Sequence, residues 1–177
     1  MPAGAGQENV MDAGLLIGRI VFGGLMAAHG AQKYFGWFGG YGLDAVSGMF
    51  ESLGFRPGHL FARAAALSEI GAGLLVAGGL LGPVGPALLL SVMIVAAVSV
   101  HWQHGLFAAT NGIEMPLLYA AAAVVFALTG PGAYSLDAVL GLSGLWTPAV
   151  TAIVLTLGVA GALGNLAIRK TPAPAAA

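Results

Sequence analysis

The sequence contains no cysteine and few charged residues. The absence of cysteine from all 177 positions excludes a disulfide framework, a dithiol redox centre and thiolate metal ligands within this chain. Charged residues make up 7% of the chain, whereas they make up about 25% of an ordinary soluble domain. The formal net charge of -1 argues against a nucleic-acid partner. Any redox role would therefore need a bound cofactor or a partner protein.

Hydrophobic residues dominate what is present. They form 58% of the chain, and the mean hydropathy of +0.91 indicates an integral membrane protein in a lipid bilayer. The apolar runs predict five transmembrane helices of about 15–23 residues each, where ~20 residues are needed to cross a bilayer. We therefore predict an all-α, polytopic membrane helix bundle. It has a four-helix core over residues 12–142, which includes an interfacial helix at about 43–53, and a fifth transmembrane helix within 143–170. Residues 1–11 and 171–177 are predicted to be disordered.

Basic residues cluster near two of the predicted helix ends. Lys33, Arg56 and Arg63 flank the connection between the first two helices, and Arg169 and Lys170 follow the fifth helix. With five crossings, these groups fall on one side of the membrane, and the positive-inside rule makes that side cytoplasmic. The N-terminus is then expected outside and the C-terminus inside.

The first predicted helix carries a basic stripe. Arg19, His29 and Lys33 fall within an arc of about 80° on a helical wheel. Because a charge inside a bilayer costs ~2.5–3.5 kcal/mol on insertion scales, it normally finds a partner. We predict that Arg19 pairs with Glu69 in the second helix. This pair is either a structural ion pair that fixes helix register or a functional one, in which Glu69 carries protons or contacts a ligand.

Several polar side chains are predicted to share one end of the bundle. His29, Lys33, His101 and Glu114 come from three helices whose ends meet on one membrane face. Polar groups that converge in an apolar cleft are typical of a small-molecule site. Gly30 is expected to leave room there for a planar group.

Plainer roles remain open for the same residues. Lys33 could extend to the lipid headgroups, His29 could bridge two helices, and Glu114 could cap a helix. The spacing of His101 and His104 is compatible with a metal ligand pair, but two histidines at a helix end are weak evidence for one. We favour interfacial hydrogen bonding for both histidines and predict no metal site.

Several short motifs, in order and spacing, resemble one known family. They are Leu16-Ile17-Gly18-Arg19, His29-Gly30 with Lys33, the run Leu-Ser-Glu-Ile-Gly-Ala-Gly-Leu-Leu around Glu69, His101, Asn111-Gly112-Ile113-Glu114, and GPGAYSLDA from Gly130 to Ala138. Over about residues 15–140 the chain resembles the DoxX family of small membrane proteins. The resemblance implies a four-helix membrane bundle in the bacterial cytoplasmic membrane. It also implies a link to thiosulfate:quinone oxidoreductase and to membrane complexes for oxidative-stress and thiol handling.

The first functional hypothesis is a subunit of a redox-linked complex that binds a quinone non-covalently. His29, Gly30, Lys33, His101 and Glu114 would form its binding site. Glu69 would handle protons, and Arg19 would tune that proton exchange. One alternative is a non-catalytic scaffold that recruits a soluble oxidative-stress or thiol enzyme, and another is a carrier of small molecules or lipids. A redox-protein partner and a homo-oligomer are left open.

Overall fold

The long apolar runs form helices, because a backbone in lipid must satisfy its own hydrogen bonds. The computed structural model describes residues 5–170 and contains no strand within them. Five helices form the bundle: α1 (Ala5–Phe35), α3 (Gly58–Gly78), α4 (Val84–Ala96), α5 (Glu114–Thr129) and α7 (Pro148–Ala167). Two short helices, α2 (Gly42–Ser52) and α6 (Leu136–Val139), lie in the connections. The predicted all-α helix bundle is confirmed.

Four helical stretches are long and apolar enough to cross a membrane. They are Gly6–Phe35, Gly58–Gly78, Val84–His104 and Pro148–Ala167. α5 is also apolar but has 16 residues, which span about 24 Å at 1.5 Å per residue. Large apolar side chains point outward from these helices, and Ile17, Leu74 and Leu157 are each more than 60% exposed. Such a surface suits a lipid environment, so the chain is a multi-pass membrane protein.

The helix boundaries correct one prediction. α1 begins at Ala5, so residues 5–11 are helical and not disordered as the sequence suggested. Residues 1–4 and 171–177, also predicted to be disordered, lie outside the described residues. The interfacial helix expected at about 43–53 corresponds to α2.

α1 and α3 approach each other through a line of glycines, which we call the glycine seam. A Cβ atom on Gly23 would lie 2.5 Å from the carbonyl oxygen of Gly73 and 2.6 Å from the amide nitrogen of Ala77. A Cβ atom on Gly30 would lie 2.6 Å from the carbonyl oxygen of Ala66. These distances leave no space for any side chain, so the seam fixes the register of the two helices.

An apolar cluster at the centre of the bundle joins α1, α3, α4 and α5. Phe22 on α1 meets two rings of α5 edge-on, with centroid distances of 5.4 Å to Tyr119 and 6.0 Å to Phe126. The buried cluster around them comprises Met26, Ala72, Val76, Leu89, Met93, Ala123 and Phe126. α4 also packs against α7, so the fifth long helix is part of the bundle.

The C-terminal end of α7 contacts the connection between α2 and α3. The amide of Lys170 donates to the carbonyl of Gly54 at 2.9 Å, and the Arg169 guanidinium lies 5.9 Å from the centroid of the Phe55 ring. We call this side of the bundle the Lys33 end and the opposite side the Arg19 end. The two basic regions therefore share one end, as the sequence predicted. The side of the membrane that this end faces stays a prediction.

Candidate functional site

A buried ion pair joins α1 to α3, but it is not the predicted one. Lys33 Nζ lies 2.5 Å from Glu69 Oε1, and it is the one salt bridge within residues 5–170. Glu69 is 1% exposed, while Lys33 is 20% exposed. The predicted Arg19–Glu69 pair is wrong. The glycine seam sets a register that brings Lys33 close to Glu69 and puts Arg19 beside Gly79, near the opposite end of α3.

The ion pair lies at the edge of a cavity of about 180 Å³. The cavity lies between α1, α2, α3, α4 and α7 at the Lys33 end, and we call it the Lys33–Glu69 cavity. Its walls are mainly apolar and include Phe50, Phe55, Phe61, Leu88 and Val92. Its other polar side chains are Ser68, Ser91, Ser99 and Asn165. A charged pair thus borders a largely apolar cavity that has a few further polar groups, and this combination is typical of a small-molecule site.

One oxygen of Glu69 has no partner. Among the described residues no group donates a hydrogen bond to Oε2, and this atom is buried. A buried polar atom left unpaired costs about 1–3 kcal/mol, and more when it carries charge. The carboxylate would therefore be stabilised by a donor placed in the cavity, from a ligand or from water.

The wall formed by α4 departs from regular α-helix. The helix continues from Ala97 to His101 as a π-helical turn, and Ser99 and Val100 from this turn line the cavity. The Ser99 hydroxyl donates to the carbonyl of Val95. Single π-turns occur frequently at functional sites, and this one widens α4 beside the ion pair.

His29 and Gly30 do not line the cavity. The exposed His29 ring has its Nδ1 3.2 Å from Gln32 Oε1, one turn along the same helix. Gly30 belongs to the glycine seam, where a Cβ atom would meet the backbone of α3. The expectation that Gly30 leaves room for a planar group is therefore wrong, because α3 already occupies that space.

His101 and Glu114 organise the loop between α4 and α5. His101 Nδ1 lies 2.8 Å from the carbonyl oxygen of Asn111, and Glu114 Oε2 accepts from the amide of Ala108 at 2.7 Å. Neither residue lines the cavity. Of the seven residues proposed from the sequence, the cavity includes Lys33 and Glu69. Within residues 5–170, no three His, Asp or Glu side chains come together as a metal site.

The Arg19 end holds a second polar cluster that the sequence analysis missed. Arg19 is 2% exposed, and its Nη2 donates to the carbonyl of Tyr134 at 2.5 Å. Asp137 is fully buried and accepts from the amides of Leu81 and Gly82 and from the Trp146 indole. The run from Gly130 to Ala138 is thus a strap that closes this end. The one sequence feature that could have indicated this cluster is the single aspartate, Asp137, in a Gly- and Pro-containing segment that interrupts the helices.

A larger cavity, of about 310 Å³, lies between α5 and α7 at the Arg19 end. Ala127, Leu128, Trp146, Pro148 and Leu155 form much of its wall, and no ionisable side chain lines it. Such a space can hold acyl chains but offers no charged group to a ligand. The Lys33–Glu69 cavity is therefore the better candidate for specific binding.

These features define the class: a small polytopic membrane helix bundle with a buried ion pair at a cavity between its helices. The family model DoxX matches residues 14–102. This range begins within α1 and ends one residue after the π-helical turn that extends α4. The chain belongs to the DoxX family. No curated protein and no solved structure matched it.

Proposed function

We propose that this DoxX protein is the membrane subunit of a redox-linked complex and binds a quinone-type headgroup in the Lys33–Glu69 cavity. The observation that carries the proposal is the unpartnered Oε2 atom of Glu69 beside an apolar cavity. A small lipophilic molecule with polar atoms at one end fits that combination. The family resemblance, with its link to thiosulfate:quinone oxidoreductase, points to the same class of ligand.

The size of the cavity supports a single ring. Its volume is about 180 Å³, and an apolar protein cavity of ~150 Å³ is known to hold benzene. A quinone ring fits this scale, whereas its isoprenoid tail must extend outward between helices into lipid. A ligand of this kind would enter from the bilayer, where it is concentrated.

The residues suggest a division of roles. Lys33 can donate to a ligand oxygen with the protons it does not give to Glu69, and Glu69 can accept a proton from a bound hydroxyl. Electrons would pass between the quinone and a partner redox protein, since the chain has no cysteine with which to form a dithiol centre. The histidines at the Lys33 end and Arg19 take no direct part in this proposal.

The test is ligand-induced stabilisation of the purified protein. Short-tailed benzoquinones and naphthoquinones should raise its melting temperature in detergent, because a ligand that binds only the folded state stabilises that state. Ala65→Leu fills the cavity wall and should remove the shift. Ala121→Leu makes the same change on the exposed face of α5 and should keep it.

An absence of any shift in the wild type would contradict the proposal. Equal shifts in wild type, Ala65→Leu and Ala121→Leu would place binding elsewhere. A soluble enzyme that co-purifies with a protein free of quinone would favour the scaffold hypothesis instead.

A further inference from the structure

The Lys33–Glu69 cavity has a hydrogen-bond acceptor without a donor among the described residues. The Ser99 hydroxyl is committed to the Val95 carbonyl, and Asn165 Nδ2 donates to the carbonyl of Gly161 at 3.2 Å. Lys33 already donates to Glu69 Oε1. The buried atom without a partner is an acceptor, Glu69 Oε2. The cavity therefore needs a donor more than it needs another acceptor.

We propose that the cavity selects the reduced, hydroxyl-bearing form of its ligand, a quinol, over the oxidised quinone. This inference rests on the proposed function and concerns the redox form that binds. A quinol and its quinone have nearly the same ring and the same apolar surface. They differ in the group they present to Glu69: the quinol offers O–H donors, and the quinone offers carbonyl acceptors.

The charge on Glu69 gives the preference its direction. Glu69 forms a salt bridge with Lys33 Nζ at 2.5 Å, and a carboxylate in an ion pair can only accept hydrogen bonds. A quinol hydroxyl donates to Oε2 and satisfies it, whereas a quinone carbonyl would bring two acceptors together in a site of low dielectric constant. Hydrogen bonds to charged groups are strong enough to change affinity by about 10- to 100-fold.

The remaining polar groups do not reverse this preference. Ser68 and Ser91 line the cavity, and a hydroxyl can either donate or accept, so each suits both redox forms. Lys33 can donate its spare N–H groups to a ligand oxygen, and since a hydroxyl oxygen accepts as a carbonyl oxygen does, this contact also suits both redox forms. Discrimination therefore falls on Glu69, which acts as the specificity-determining residue.

The experiment compares three ligands on the purified protein under anaerobic conditions: a short-tailed quinol, its quinone and the dimethyl ether of the quinol. The ether keeps the ring and both oxygens but has no donor. Titration calorimetry should show the quinol binding about 10- to 100-fold more tightly than either of the other two. In Glu69→Gln this preference should fall close to unity, because an amide can donate as well as accept.

Asp44→Asn is the matched control. It makes the same carboxylate-to-amide change at an exposed position on α2, so the preference should remain. Equal or tighter binding of the quinone by the wild type would overturn the inference and leave the proposed function standing. Failure of quinol and quinone alike to bind would overturn both. If Glu69→Gln does not fold, tight binding of the ether to the wild type is sufficient to refute selection by a donor.

Discussion

Removing Lys33 should lower the stability of the protein more than removing the charge of Glu69, although both changes break the same buried ion pair. Lys33 is the one partner that Glu69 has within the described residues, and Glu69 is 1% exposed. Lys33→Met therefore strands a carboxylate in an apolar environment. Glu69→Gln leaves behind a lysine that is 20% exposed and can extend toward the aqueous end of the bundle.

The expected magnitudes follow from this asymmetry. Breaking a buried pair by removing one partner typically costs about 3–5 kcal/mol, because the remaining charge is left uncompensated. We expect Lys33→Met to lower the free energy of unfolding by about 3–4 kcal/mol and Glu69→Gln by about 1–2 kcal/mol.

The assay is a double-mutant cycle, measured by reversible unfolding in mixed micelles. The Lys33→Met/Glu69→Gln protein should lose less stability than the two single losses combined, with a coupling of about 1–3 kcal/mol. Arg19→Gln is the control, because Arg19 lies at the other end of the bundle. Its effect should add to that of Glu69→Gln within about 0.5 kcal/mol. Additive losses for Lys33 and Glu69, or strong coupling of Arg19 to Glu69, would refute this reasoning.

Two further predictions concern the fold. Gly23→Ala should destabilise the protein by about 1–3 kcal/mol, because its methyl group has no space in the glycine seam. Gly24→Ala is the control: no atom lies within 4 Å of the added carbon, so this variant should be as stable as the wild type or more stable. Similar melting temperatures for these two variants would show that the seam is not tightly packed. Reporter fusions after Gly58 and after Lys170 should both read cytoplasmic, given the shared end and the positive-inside rule. Readings on opposite sides would contradict the fold, and two external readings would reverse only the orientation.

The long helices could be predicted from the sequence, because the length of a hydrophobic run indicates whether a segment can span a membrane. It also singled out Glu69, since an acidic residue in an apolar helix stands out. It could not choose the partner of Glu69. Arg19 and Lys33 lie on one face of α1, and a helical wheel gives the angle of a residue but not its depth. Fourteen residues of helix separate them by about 21 Å, and the glycine seam decides between them. With 29 glycines in the chain, the seam could not be identified in advance.

The sequence predicted a binding site that includes His29 and His101, but neither lines the Lys33–Glu69 cavity. Chain topology correctly placed His29, His101 and Glu114 at one end of the bundle, but a shared end does not imply a shared cavity. His101 and Glu114 hydrogen-bond to the backbone of their own loop. Local demands of this kind depend on backbone conformation, which spacing along the sequence does not reveal.

The strap at the Arg19 end has a consequence for the order in which the protein is made. The Tyr134 carbonyl that receives Arg19 lies 115 residues further along the chain, and Asp137 lies 55 residues after the Gly82 amide it accepts from. During synthesis, α1, α3 and α4 therefore emerge before the groups that complete their polar contacts. We expect a ribosome-bound chain to hold Arg19 near the membrane surface, or against translocation machinery, until the strap has been translated. The first three long helices would thus be locked together only when about three quarters of the chain has been translated, before α7 completes the bundle.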